Sequence, residues 1–69
     1  MKGTVIWFNQ DMGYGFITPD PNEELKHDLL IQKQNIKTSN HSLYDGQRVE
    51  FEATKTEKGQ EAINVHEAE

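Results

Sequence analysis

Sixty-nine residues without a cysteine, carrying seven Lys and Arg against twelve Asp and Glu for a net charge of −5, set the first bounds. A chain of this length makes one domain, here residues 1–69, and buries only about 60% of its unfolded surface, so a small core must hold without disulfides or a thiolate metal site. The longest apolar run, Val5 to Phe8, falls far short of a membrane span of roughly 18 residues, Met1-Lys2-Gly3-Thr4 opens no signal peptide, and the acid excess argues against a non-specific polyanion binder; the expected address is cytoplasmic.

The β-branched and aromatic residues fall in short runs separated by turn clusters, which is a strand pattern. The first run is Thr4-Val5-Ile6-Trp7-Phe8, and Asn9 to Gly13 supplies a turn before the second, Tyr14-Gly15-Phe16-Ile17-Thr18. Pro19-Asp20-Pro21-Asn22-Glu23-Glu24 then breaks any regular element. The third run is Asp28-Leu29-Leu30-Ile31-Gln32, followed by a polar stretch from Lys33 to Ser42 in which Ile36 alone is a core candidate. After the turn dipeptide Asp45-Gly46, apolar and charged residues alternate with period two from Gln47 to Ala53, the pattern of a half-buried strand. Thr56 to Gly59 turns the chain into the last run, Glu61-Ala62-Ile63-Asn64-Val65, ahead of an acidic end. No window sustains a helical apolar period. Five short strands bury Val5, Ile17, Leu29, Ile31, Val49, Phe51 and Ile63 together best by closing on themselves, so the expected fold is all-β, a small five-stranded antiparallel barrel.

Alternation in the second run places Tyr14 and Phe16 on one face and Gly15 and Ile17 on the other. If Ile17 faces the core, the rings face outward, and Trp7 on the neighbouring strand adds a third ring to the same patch. Side-by-side exposed rings are stacking surfaces for unpaired bases; the alternative is that Trp7, Tyr14 and Phe16 are simply core, and periodicity leaves both open.

Four blocks in order carry a resemblance: Gly3-Thr4-Val5-Ile6-Trp7-Phe8-Asn9, Gly13-Tyr14-Gly15-Phe16-Ile17, Asp45-Gly46-Gln47-Arg48-Val49-Glu50-Phe51-Glu52, and Lys58-Gly59 with Ala62-Ile63-Asn64-Val65. From residue 2 to residue 65 the chain resembles the bacterial cold-shock domain family. The resemblance implies an antiparallel barrel of the oligonucleotide-binding type that takes single-stranded DNA or RNA on surface aromatics of strands two and three. It also implies an RNA-chaperone-like role, holding strands unpaired.

Departures from the family pattern fall on the binding surface itself. Lysines expected before Trp-Phe-Asn and at the start of the second block are Ile6 and Met12, and the stacking Phe, His and Phe of the third strand are Leu30, Gln32 and Lys33. A further aromatic of the following loop corresponds to Asn40, and Gly-Pro of the last hairpin is Gly59-Gln60. Leu30 retains apolar contact, Gln32 can hydrogen-bond a base edge, and Lys33 can meet phosphate. The expected nucleic-acid-binding residues are therefore Trp7, Tyr14, Phe16, Leu30, Gln32, Lys33 and Lys58, with Lys37 a further candidate phosphate contact.

Residues 50–69 hold six acids against Lys55 and Lys58, so most of the acidity is expected away from the aromatic strands, as a solvated face. His27, His41 and His66 lack the spacing of a metal site, and Ser39 and Ser42 have no His-acid partners for nucleophilic work. No enzyme, metal or cofactor is expected, and the chain is expected to be a monomer without a membrane partner. The first reading is weak, low-specificity binding of single-stranded DNA or RNA by stacking. The second, of a different class, is a barrel that has lost most of that binding and serves as a protein-interaction or regulatory domain, as part of a longer protein or alone.

Overall fold

The computed structural model describes residues 1–38, 41–57 and 59–68. Each expected run becomes a strand: β1 (Lys2–Asn9), β2 (Tyr14–Pro19), β3 (Leu29–Gln32), β4 (Arg48–Thr56) and β5 (Gly59–Glu67), with a 3-10 turn at Lys33–Asn35. They close into a barrel in the order β1-β2-β3-β5-β4. The seams β1–β2, β2–β3, β1–β4 and β4–β5 are antiparallel. Closure comes from a short parallel seam, Leu30 against Glu61 and Ile31 against Ala62.

Inward positions follow the alternation that the sequence sets: Val5, Ile17, Leu29, Ile31, Val49 and Phe51 are buried, and Ile36, Leu43 and Phe8 complete one end of the core. Ile63 does not belong there. It is half-buried, and its place is taken by Ala62 and Val65. The cause is a bulge in β5, where Glu50 pairs with His66 but Glu52 pairs with Ile63, leaving an extra residue on β5. Asn64 sits in the left-handed region there (φ 51°), a conformation that Asn tolerates better than most residues, and the local period changes from two to three.

A second bulge shapes β1. Val5 opposes Ile17 and Trp7 opposes Phe16, so Ile6 is the extra residue. Strict alternation from Val5 would turn Trp7 inward; the bulge turns Ile6 and Trp7 both outward and returns Phe8 to the core. The Asp45-Gly46 turn stitches this irregular edge. Gly46 N donates to the Val5 carbonyl at 2.7 Å, Val5 N donates to the Gln47 carbonyl at 2.9 Å, and Phe8 N donates to Asp45 Oδ1 at 3.3 Å.

At the opposite end of β1, Arg48 donates to both Asp20 carboxylate oxygens at 2.6 and 2.7 Å and to Thr4 Oγ1 at 2.9 Å. The hydrogen bonds from Arg48 hold the Asp20 carboxyl below its ordinary value of 3.8. A depressed folded value means that the pair's contribution is complete above the unfolded value and is lost as pH falls through the folded one. The unfolding midpoint in urea should therefore fall on acidification below about pH 4, and Asp20→Asn should remove that part of the decline. The pair is solvent-screened, so an equal acid decline in wild type and variant is the result that would count against it.

Candidate nucleic-acid interface

The outer face of β1, β2 and β3 is assembled by register. Trp7 stands opposite Phe16, Phe16 opposite Leu30, and across the parallel seam Leu30 stands opposite Glu61. A second row runs from Asn9 to Tyr14 to Gln32. Directly opposed residues share a face, so the expected site residues Trp7, Tyr14, Phe16, Leu30 and Gln32 come together on one surface.

Three rings occupy its centre. The Trp7 and Tyr14 centroids are 5.4 Å apart with planes at 73°, and those of Tyr14 and Phe16 are 6.2 Å apart at 90°. These edge-to-face contacts hold the rings in place, each worth about 0.5–1.5 kcal/mol beyond burial. Trp7 is 36% and Phe16 39% exposed and Tyr14 is half-buried, so none of the three rings belongs to the core. Ile6 (47%) and Met12 (64%) are exposed as well, which makes the surface more apolar where lysines would otherwise stand. Gln34 and Lys33 are exposed, and Leu30 is half-buried beside Phe16.

Lys33 leaves the strand row. It opens the 3-10 turn, its backbone N–H donates to the Gly13 carbonyl at 2.8 Å, and its Cβ packs near the Gly13 backbone, at the β1–β2 turn. That turn is built by Asn9, whose carbonyl accepts from Gly13 N at 2.8 Å and whose Oδ1 accepts from Met12 N at 2.9 Å, with Gly13 at φ 77°. The expected contact Lys58, and Asn40, which stands where the family has a further aromatic, lie outside the described residues. Arg48 is engaged by Asp20 and Thr4. Among the described residues no group of three or more His, Asp or Glu is placed to hold a metal ion.

One polar cluster on this face gives no signal in the sequence. Gln32 Nε2 donates to Glu61 Oε1 at 2.8 Å, and Thr56 Oγ1 donates to Glu61 Oε2 at 2.9 Å. Gln34 Nε2 donates to Gln32 Oε1 at 3.1 Å. Glu61 is only 6% exposed, a carboxylate covered by its own hydrogen-bond partners at the edge of the aromatic row. It is an exception to the expectation that the acidity lies away from the aromatic strands.

Comparison with known proteins agrees with this geometry. The family model of the 'Cold-shock' DNA-binding domain matches residues 1–68. The chain belongs to the cold-shock domain family. It is 46% identical over 67 residues to the cold shock-like protein CspE of Escherichia coli K12, an alignment covering 94% of this chain and 91% of the relative. It is 45% identical over 65 residues to cold shock protein 1 of Lactiplantibacillus plantarum, covering 93% and 92%. Human Y-box-binding protein 3 is 45% identical over 65 residues, which is 91% of this chain but 18% of that protein. Among solved structures, drosophila Unr CSD456 superposes with a TM-score of 0.73 over 99% of this chain and 26% of that one, at 18% identity, and so supports the cold-shock barrel alone.

Proposed function

We propose that this cold-shock domain binds single-stranded DNA or RNA by stacking bases on Trp7, Phe16 and Tyr14, with Leu30 adding apolar contact, Gln32 meeting a base edge, and Lys33 and Lys58 meeting phosphate. The observation that carries the reading is the row of outward rings on β1 and β2, held edge-to-face through Tyr14, with Trp7 and Phe16 open to solvent. Each stacked base contributes about 1–3 kcal/mol with little dependence on sequence. Binding in this way holds strands unpaired and opposes duplex formation, a chaperone-like role in the cytoplasm with no catalytic step. The monomeric domain suffices for it, because every proposed residue lies on one chain.

Loss of the third-strand rings at Leu30, Gln32 and Lys33 makes the domain a weak binder, and the apolar residues Ile6 and Met12 make it one that releases few counterions. Titration with a pyrimidine-rich oligonucleotide, followed by Trp7 fluorescence, should show saturable quenching. The dependence of log affinity on log salt should steepen by about 0.7 for each lysine restored, in Ile6→Lys and Met12→Lys, if each meets one phosphate. Absence of quenching at millimolar nucleotide would overturn the reading and favour a protein-interaction role for the same apolar face.

A further inference from the structure

Gln32 is the one polar side chain in the row beside the rings that also bonds to a covered carboxylate, and that combination fixes which end of its amide faces out. An ionised carboxylate only accepts hydrogen bonds, whereas a primary amide has a donating end and an accepting end. With Glu61 Oε1 2.8 Å from Gln32 Nε2, the amide nitrogen is turned to Glu61 and the carbonyl oxygen away from it. Flipping the amide would place two acceptors against each other beside a residue that is 6% exposed, where water cannot easily intervene. Glu61 is itself held, through its second oxygen, by Thr56. Of the two lone pairs on Gln32 Oε1, one accepts from the exposed Gln34 at 3.1 Å, and the other remains for a ligand.

The place of this carbonyl gives it a use. Gln32 stands directly across from Tyr14, and Leu30, two residues before it on the same face, stands across from Phe16. A base stacked on these rings brings its edge to Gln32. That edge meets an acceptor backed by the negative field of Glu61.

We propose that this subsite selects bases bearing an exocyclic amino group, cytosine over thymine or uracil among pyrimidines, and that Glu61 is the positioning residue that sets the preference by holding the Gln32 amide in one orientation. The inference rests on the nucleic-acid-binding reading above. Cytosine presents its N4 amino hydrogens where thymine and uracil present the O4 carbonyl. The amino group gains a hydrogen bond to Gln32 Oε1, whereas the carbonyl oxygen meets both that oxygen and the Glu61 charge, and thymine or uracil has to shift along its edge to offer N3–H instead. Cytosine and uracil have the same ring and neither carries the 5-methyl group of thymine, so stacking contributes nearly equally to both and the comparison of these two isolates the edge contact.

The test is a pair of fluorescence titrations with deoxycytidine and deoxyuridine hexamers at neutral pH. Wild type should bind the cytidine hexamer about fivefold more tightly, the scale of one net hydrogen bond. Glu61→Gln can both donate and accept, so it releases the constraint on Gln32 and should bring the ratio close to one. Gln32→Met, which removes the carbonyl together with the amide that donates to Glu61 and leaves the rings in place, should do the same while still quenching with either hexamer. Thermal melts report whether each variant is folded, and the wild-type ratio stands without them. A wild-type ratio at or below one, or a ratio unchanged in Gln32→Met, would overturn the proposed selection. If neither hexamer quenches Trp7, the binding reading fails and takes this inference with it, an outcome distinct from binding without preference.

Discussion

Replacing Phe16 with Ala is expected to weaken binding of a single-stranded oligonucleotide by about tenfold to a hundredfold while leaving the domain folded. The reason lies in how the ring is used. Phe16 is 39% exposed, and its neighbours on the outer face are Trp7, Tyr14 and Leu30 rather than the core. Truncation therefore removes a stacking surface worth about 1–3 kcal/mol to a bound base. Its cost to the fold is the edge contact with Tyr14, about 0.5–1.5 kcal/mol, together with the partial cover it shares with Trp7 and Leu30, and it opens no cavity in the core. Affinity and stability should separate: a large shift in the dissociation constant beside a modest shift in melting temperature. The same substitution at Phe51, which is 2% exposed, should do the reverse and unfold much of the population, since Phe→Ala in a core costs about 3–5 kcal/mol in domains of small total stability. Unchanged affinity in folded Phe16→Ala would place the nucleic acid elsewhere on the barrel. Following the titration by Trp7 fluorescence keeps the probe intact in this variant.

The barrel and most of its core are legible in the sequence because the information is local. In β4 Val49 and Phe51 alternate with charged residues and their burial follows directly, and in β2 burial alternates strictly once Ile17 is placed inside. Where alternation is broken by a bulge, local reasoning goes astray. In β5 it places Ile63 inside, because nothing in Glu61-Ala62-Ile63-Asn64-Val65 announces that Asn64 will take a left-handed conformation and shift the face. In β1 the same kind of irregularity works in favour of the reading: Trp7 belongs to the outer face only because Ile6 is an extra residue there. The resemblance to cold-shock domains points to that outcome, and periodicity does not.

The acidic character is legible as a number and only partly as a location. Glu50 and Glu67 do lie with Lys2 and His66 along the groove at the far end of β1 from Trp7. Glu61 does not. Its partner Gln32 is 29 residues away in the chain, joined to it by the parallel β3–β5 seam. Pairings of that separation leave no trace in composition or spacing. A domain with net charge −5 can thus keep most of its charge clear of a ligand and still place one carboxylate where it shapes what the ligand can be.

The largest loss of stability outside the core should come from the smallest side chain near the site. Gly15 lies between Tyr14 and Phe16, buried on the inner face of β2 and opposite Phe8 of β1. A methyl group there would overlap the Trp7 carbonyl oxygen and stand 2.7 Å from the Phe8 α-carbon, both backbone atoms that no rotamer change can move aside. Relief requires β1 and β2 to separate, and the seam they form carries the Trp7–Phe16 pairing of the site as well as the Val5–Ile17 pairing of the core. Gly15→Ala is therefore expected to lose several kcal/mol, beyond the roughly 1–3 kcal/mol usual for an overpacked core position, and to leave little folded protein at about 37 °C. Gly46→Ala is the informative comparison. Gly46 has a positive φ of 84°, but a methyl group on its α-carbon would meet no atom within 4 Å, so its penalty is backbone strain alone, about 1–2 kcal/mol. A Gly15→Ala domain that melts no lower than Gly46→Ala would mean that the strands separate easily at this point, and that the close approach of β2 to β1 does not hold the aromatic row in place.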